Sequence, residues 1–168
     1  MATEPIIYLD FDGVLANFYD NFMAITGADY PHLPRGLADA HWQAYVRAGG
    51  FASNPLLPGA QAFVGTLMAL PGVQVQGLTS CGGERRGTHL AVTAQKESWL
   101  AEHFGDLGLQ AHIVTNWTDK ARYAHANALL LDDSPRNCQA FITAGGHAVH
   151  HTGDLAHSLQ AIRAFLNG

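Results

Sequence analysis

The sequence of 168 residues has few cysteines, few charged side chains and no long apolar run. Its two cysteines, Cys81 and Cys138, are too few for a disulfide framework and lack the spacing of a zinc site. No apolar stretch approaches the roughly 20 residues that cross a membrane, and no basic segment followed by an apolar one opens the chain. From these absences we expect a soluble protein of the cytoplasm without a membrane partner.

Positive charge is scarce as well, since nine Lys and Arg residues stand against 14 Asp and Glu, and the formal net charge is -5. Proteins that bind nucleic-acid polymers normally present a basic face, so we expect no such partner. A small anionic substrate stays compatible with this balance, because a bound cation can reverse the local sign of the charge. The apolar content of 48% is enough for a packed core.

Short apolar runs alternate with segments of helical periodicity along the chain. The runs begin at Ile6 and cover 73–78, 111–115, 128–131 and 147–150. Helical spacing follows all of them except 111–115, with Gly27 placed to end the first helix and Asp154 placed to cap the last. This alternation predicts an α/β fold, an open parallel sheet flanked by helices.

The regular pattern is interrupted between residues 29 and 55, where prolines and glycines surround one short helical piece at 41–47. A segment of this length with its own helix predicts a small helical cap rather than a linker. We therefore expect an α/β core formed by 1–28 and 56–168, with the cap inserted after the first strand and helix.

Three of the predicted strands end in polar side chains. These are Asp10 and Asp12, Thr79 and Ser80, and Asp132 and Asp133. Because ligands of open parallel sheets bind at the carboxyl ends of the strands, we expect the six side chains to converge on one edge. Asp10 and Asp12 point to the same side of an extended chain, and a hard divalent cation with oxygen ligands would relieve their repulsion. Mg²⁺ is the predicted cofactor.

The order of these motifs resembles the haloacid dehalogenase (HAD) superfamily over nearly the whole chain. Its four signatures are matched by Asp10-Phe11-Asp12-Gly13-Val14, Gly77-Leu78-Thr79-Ser80, Lys96 and Leu130-Leu131-Asp132-Asp133. A closer resemblance is to the 5'(3')-deoxyribonucleotidases. It rests on six segments that fall in the order seen in that family: Pro58-Gly59-Ala60, Leu78-Thr79-Ser80, Lys96-Glu97-Ser98-Trp99-Leu100, Glu102-His103-Phe104-Gly105, Asp119-Lys120 and Leu131-Asp132-Asp133.

The resemblance implies a phosphatase and gives each site residue a role. Asp10 would be the nucleophile that forms an aspartyl-phosphate, and Asp12 would be the general acid and base. Lys96 would neutralise charge on the nucleophile and the phosphate, and Lys120 would assist it. The phosphoryl oxygens would be bound by Thr79 or Ser80 and by the turn at Gly13. Mg²⁺ would be held by Asp10, the backbone carbonyl of Asp12, Asp132 and Asp133.

The expected substrate is a small phosphorylated molecule, a nucleoside monophosphate above others. Phe18 and Trp42, with Tyr45 and Phe51, are either an aromatic pocket for its base or ordinary core residues. The alternatives are a sugar-phosphate phosphatase, a phosphomutase and, from another class, an idle binding module. The base, the position of the ester, the roles of Arg85, Arg86 and Cys81, and the choice between monomer and homodimer stay open.

Overall fold

The computed structural model describes residues 4–168, except for the side chain of Arg35. Its five strands form one parallel sheet in the order β3-β2-β1-β4-β5. The strands are β1 (Ile6–Leu9), β2 (Gln74–Ser80), β3 (Gln110–Val114), β4 (Ala128–Asp132) and β5 (His147–His150). The sheet confirms the predicted open parallel arrangement.

Six α-helices and three 3-10 helices accompany the sheet in the described part of the chain. The α-helices are α1 (Phe18–Thr26), α2 (Arg35–Arg47), α3 (Ala60–Met68), α4 (His89–Phe104), α5 (Pro135–Thr143) and α6 (Leu155–Leu166). The 3-10 helices are Tyr30–His32, Glu84–Arg86 and Trp117–Tyr123. No helix among these residues is both long and apolar enough to cross a membrane.

Helices cover both faces of the sheet, because alternate residues of its central strand enter different hydrophobic clusters. Ile7 and Leu9 pack with α3, α4 and α6 on one face. Ile6 and Tyr8 pack on the other face, which α5 covers with Phe141. A strand buried on both sides is apolar along its length, as β1 is and as β4 is up to Asp132.

Several element boundaries differ from the predicted ones. The helix predicted at 41–47 begins at Arg35, because Pro34 has a backbone φ of −57° that suits the start of a helix. Helix α4 begins at His89, ahead of the buried Val92 in its first turn. Strand β2 runs to Ser80, so Thr79 and Ser80 are its last two residues instead of following its end.

The cap is joined to the core by a paired neck. The amide of Asn17 donates to the carbonyl of Pro55 at 2.8 Å, and the amide of Leu57 donates to the carbonyl of Leu15 at 2.8 Å. The chain therefore leaves and re-enters the core at one place. The assignment of 29–55 to a separate cap stays a prediction, and α1 packs against this segment through buried aromatic rings. These rings are Phe18, Phe22, Trp42, Tyr45 and Phe51.

Candidate active site

The three adjacent strands β2, β1 and β4 deliver acidic and hydroxyl side chains to one edge of the sheet. Asp10 follows β1, and its amide is hydrogen-bonded to the carbonyl of Leu131 in β4 at 2.9 Å. This register places one carboxylate oxygen each from Asp10, Asp132 and Asp133 within 4.8 Å of one another. Such a group of oxygen donors is suited to a hard divalent cation.

Lys120 lies between two of these carboxylates. Its Nζ is 2.9 Å from Oδ1 of Asp10 and 2.6 Å from Oδ2 of Asp132. Burial disfavours the charged ammonium, but the two carboxylates outweigh it and raise the pKa of Lys120 above its usual value. The ammonium is held there by the 3-10 helix Trp117–Tyr123, which a reciprocal Asn116–Asp119 cap begins.

Lys96 forms an ion pair with Asp12, the other carboxylate of the first motif. Its Nζ donates to Oδ2 of Asp12 at 2.6 Å, to Oγ1 of Thr79 at 2.7 Å and to the carbonyl of Ser80 at 2.9 Å. Burial raises the pKa of Asp12, and the charge of Lys96 opposes this rise. The structure thus places Lys96 on Asp12 and Lys120 on Asp10, whereas the sequence assigned Lys96 to the nucleophile.

Asp132 is fully buried and bound from several sides. The amide of Ser134 donates to its Oδ1 at 2.9 Å, and Nδ2 of Asn137 lies 3.0 Å from both of its oxygens. Burial and the charge of Asp10 raise the pKa of Asp132, and Lys120 opposes them. The second amide atom of Asn137, Oδ1, is buried without a hydrogen-bond partner among the described residues.

Asp133 is bound through its side chain by α1 and through its backbone by β5. The hydroxyl of Tyr19 lies 2.8 Å from Oδ2 of Asp133, and Nε2 of His150 lies 3.0 Å from its carbonyl oxygen. Burial and the charge of Asp10 raise the pKa of Asp133 to about 7. Asp133 faces the cavity that opens at this edge of the sheet.

That cavity has a volume of about 800 Å³. Its floor includes Asp10, Asp12 and Ser80, whereas Thr79 is fully buried and has its hydroxyl on Lys96. Ser80 is therefore better placed than Thr79 to meet a phosphoryl group. The walls come from α1, the cap, the loop after β2, the loop after β3 and the start of α5. They include Phe18, Tyr19, Tyr30, Trp42, Arg85, Arg86, Asn116, Trp117 and Arg136.

Of the four aromatic residues named from the sequence, two line the cavity and two lie in the core. Phe18 and Trp42 line the cavity, but Tyr45 and Phe51 are buried away from it. The Trp42 ring is itself enclosed, because the Arg86 guanidinium lies 4.3 Å from its centre and its Nε1 donates to Thr88 at 2.9 Å. Trp42 is 5% exposed, so packing takes up most of its surface.

No protein-family model matches the sequence, and no curated protein does. Solved structures do resemble it. A haloacid dehalogenase-like hydrolase from Xanthomonas campestris has a TM-score of 0.64 at 12% identity, over 98% of this chain and 93% of its own. The chain has the HAD fold. A magnesium-bound HAD hydrolase from Bacillus subtilis (TM-score 0.60, 10% identity) covers 99% of this chain and 100% of its own. A predicted phosphatase from Clostridium acetobutylicum has a TM-score of 0.58 at 12% identity, and the match covers 92% of this chain and 87% of that protein's chain.

Within this HAD fold the residues present fit a magnesium ion. The donors are all oxygens, and Asp10 and Asp133 both face the cavity. The buried Oδ1 of Asn137 also lacks a donor among the described residues, which is the condition expected beside a hydrated cation. Asp10, Asp133 and Asp132 are the side chains that would hold the ion.

Several cavity residues were not identified from the sequence, among them Tyr19, Asn137, Trp117 and Arg136. Asn137 follows Asp133 by four positions, about one helical turn. Trp117 and Arg136 are 19 positions apart but meet at the cavity, with the guanidinium 3.9 Å from the ring centre. Spacing in the sequence carries no signal for such a contact between the first turns of two separate helices.

Proposed function

We propose that the protein is a Mg²⁺-dependent phosphatase that hydrolyses phosphate monoesters through an aspartyl-phosphate. The observation that supports this most directly is the separate pairing of the two carboxylates of the first motif. Asp10 lies against Lys120, and Asp12 lies against Lys96. Two neighbouring carboxylates in different environments are suited to two different chemical tasks.

In the first step, a carboxylate oxygen of Asp10 attacks phosphorus, and the bond from phosphorus to the ester oxygen breaks. Asp12 gives its proton to the leaving oxygen, and the alcohol departs. In the second step, Asp12 takes a proton from a water molecule as that water attacks the phosphoryl group and frees Asp10. Burial raises the pKa of Asp12, which supports its carrying a proton.

The basic residues and the cation share the task of balancing charge. Lys120 would hold the nucleophile in place, and the hydroxyl of Ser80 would bind a phosphoryl oxygen. Asp10, Asp132, Asp133 and the backbone carbonyl of Asp12 would hold Mg²⁺. When bound, the ion brings an anionic nucleophile and an anionic substrate together, which is the main difficulty of phosphoryl transfer.

The substrate we propose is a nucleoside monophosphate, as in the 5'(3')-deoxyribonucleotidases. The cavity of about 800 Å³ lies in the range of ligand pockets and exceeds what a phosphate needs. Tyr30 and Trp117 present aromatic surface on its walls, and Arg85 and Arg136 present hydrogen-bond donors. Both features suit a planar base that is rich in acceptors.

Phosphate release from a panel of nucleoside monophosphates and sugar phosphates, with Mg²⁺ and with chelator, tests the proposal. The Asp10→Asn protein should fold and release essentially no phosphate. Metal-dependent release that favours deoxynucleotides would support both the reaction and the substrate. Release from sugar phosphates alone would overturn the substrate, and retention of phosphate in an isomerised product would indicate a mutase. Substantial activity of Asp10→Asn would overturn the nucleophile.

A further inference from the structure

We propose that Tyr19 is a positioning residue that orients Asp133 for metal binding. The inference rests on the proposed metal site and adds a residue that the resemblance to HAD phosphatases does not supply. Tyr19 belongs to α1, outside the strand ends that carry the motifs, and it is 114 positions from Asp133 in the sequence. Its hydroxyl nevertheless lies 2.8 Å from Oδ2 of that carboxylate.

The two residues of the acidic pair are oriented in different ways. Asp132 is held by Lys120, Asn137 and the amide of Ser134. Among the described residues, Tyr19 is the one side chain that donates to the carboxylate of Asp133. The orientation of Asp133 about its side-chain bonds therefore depends on a single hydroxyl group.

Close packing shows that this contact is built into the site. Glycine at position 13 has a φ of +79°, and a Cβ there would lie 2.1 Å from Oδ2 of Asp133 and 3.1 Å from the Tyr19 ring. The carboxylate and the ring thus occupy the space that a side chain at this position would need. The backbone of Asp133 is fixed separately by His150, at 3.0 Å from the carbonyl oxygen.

Contacts with residues 50–54 anchor helix α1 before and after Tyr19, and the helix thereby holds the Tyr19 hydroxyl in place. The neighbouring Phe18 stacks on Phe51 at a ring distance of 5.7 Å. One turn on, Nδ2 of Asn21 donates to Oδ1 of Asn54 at 3.0 Å and to the carbonyl of Gly50 at 3.1 Å. Because the donor is fixed, the Asp133 carboxylate is already oriented before the metal binds, and metal binding does not have to order it.

Mn²⁺ binding to metal-free protein, followed by electron paramagnetic resonance, tests the inference without turnover. Loss of a hydrogen-bond partner behind a metal ligand typically weakens metal binding by about tenfold or more. Tyr19→Phe should therefore raise the Kd for Mn²⁺ by about tenfold. Tyr30→Phe is the matched control, since Tyr30 lies on the same cavity and its hydroxyl has no hydrogen bond among the described residues. It should keep the wild-type affinity.

Turnover supplies a second readout that a general loss of structure would not give. Tyr19→Phe should raise the Mg²⁺ concentration for half-maximal rate, while the KM for substrate at saturating Mg²⁺ stays close to that of wild type. In the Asp133→Ala background, which removes the acceptor, Tyr19→Phe should cause no further loss of Mn²⁺ affinity, because the hydroxyl acts through that carboxylate. An additional loss in the double variant would contradict the positioning role.

The outcomes separate this inference from the proposed function. If wild-type protein binds no Mn²⁺, the metal centre itself is overturned, and the role of Tyr19 falls with it. If wild type binds Mn²⁺ and Tyr19→Phe binds it equally well, only the role of Tyr19 is overturned. If Tyr30→Phe loses as much affinity as Tyr19→Phe, the effect is not specific to the contact with Asp133, which also overturns the inference.

Discussion

Lys96 and Asp12 are 84 positions apart in the sequence, yet the lysine Nζ lies 2.6 Å from Oδ2 of the aspartate. The same ammonium donates to Thr79 and to the carbonyl of Ser80, so its three donors have three acceptors. It is 2% exposed, whereas the Asp12 side chain is 24% exposed. Lys96 is therefore a fixed charge that orients a carboxylate facing the cavity.

Lys96→Met should reduce catalysis far more than stability. The ammonium fixes the position and the proton affinity of Asp12, and a general acid or base typically contributes about 10² to 10⁴ in rate. We expect kcat to fall by at least about 100-fold. The midpoint of thermal unfolding should change little, because the unpaired Asp12 can take up a proton. Parallel measurements of phosphate release and unfolding check both parts, and wild-type turnover would contradict the assignment.

Lys120→Met should have a large effect on the stability of the metal-free protein. It leaves Asp10 and the buried Asp132 without the cation between them, and breaking a buried ion pair costs about 3 to 5 kcal/mol. Mg²⁺ should restore part of this loss, because the ion supplies positive charge to the same carboxylates. Urea unfolding with chelator and with Mg²⁺ measures the difference.

Arg122→Met is the matched control for that experiment. Arg122 lies on the same 3-10 helix and pairs with Asp119 at 3.2 Å, but its side chain is 80% exposed. Surface pairs of this kind contribute about 0 to 1 kcal/mol. A loss of stability with Arg122→Met as large as with Lys120→Met, or no response of Lys120→Met to Mg²⁺, would contradict the role given to Lys120.

Gly13→Ala should abolish metal-dependent activity. Its Cβ would lie 2.1 Å from Oδ2 of Asp133, at a φ that L-residues rarely adopt. Gly27→Ala is the control that separates backbone strain at residue 13 from displacement of the Asp133 carboxylate. Gly27 has a similar φ of +71°, but nothing lies within 4 Å of the added Cβ. This control should cost about 1 kcal/mol of stability and keep activity. Mn²⁺ affinity and phosphate release check both variants, and equal effects would show that backbone strain alone is responsible.

The sheet could be predicted because its strands are apolar and its connections are helical. Burial on both faces makes β1 and β4 apolar at every position before the aspartates, and that pattern does not depend on distant residues. Helix starts were less predictable. Pro34 and Gly36 indicated a break, yet α2 begins at Arg35, since a proline before the first turn is compatible with a helix.

The residue pattern predicted the site only at the strand ends, whereas Lys96 and Lys120 were named from the resemblance to a family. Asp10 and Asp132 lie at strand ends, and the parallel sheet brings them together. The partners of these carboxylates depend on loops and on α1. The resemblance named Lys120 only as an assistant of Lys96, and the sequence did not indicate that Tyr19 would contact Asp133. Both contacts depend on the tertiary packing of helices that are distant from these carboxylates in the sequence.

His151 should make the protein less stable as the pH falls. It is 3% exposed, and its Nδ1 lies 2.8 Å from Oγ of Ser158. Burial lowers the pKa of His151, and the nearby His150 adds to this, although Asp154 opposes it. The unfolded chain therefore takes up this proton at a higher pH than the folded protein does. Stability contributed by the neutral imidazole is present above the ordinary histidine pKa and is lost as the pH falls through it.

His151→Gln should accordingly flatten the loss of stability between about pH 7 and pH 5, since the ordinary histidine pKa of about 6.5 lies in this window. Urea unfolding in chelator at several pH values measures the slope and keeps metal binding out of the comparison. His157→Gln is the control, because His157 is exposed on α6 and its removal should leave the slope unchanged. A slope of His151→Gln equal to that of wild type would show that other groups cause the acid sensitivity.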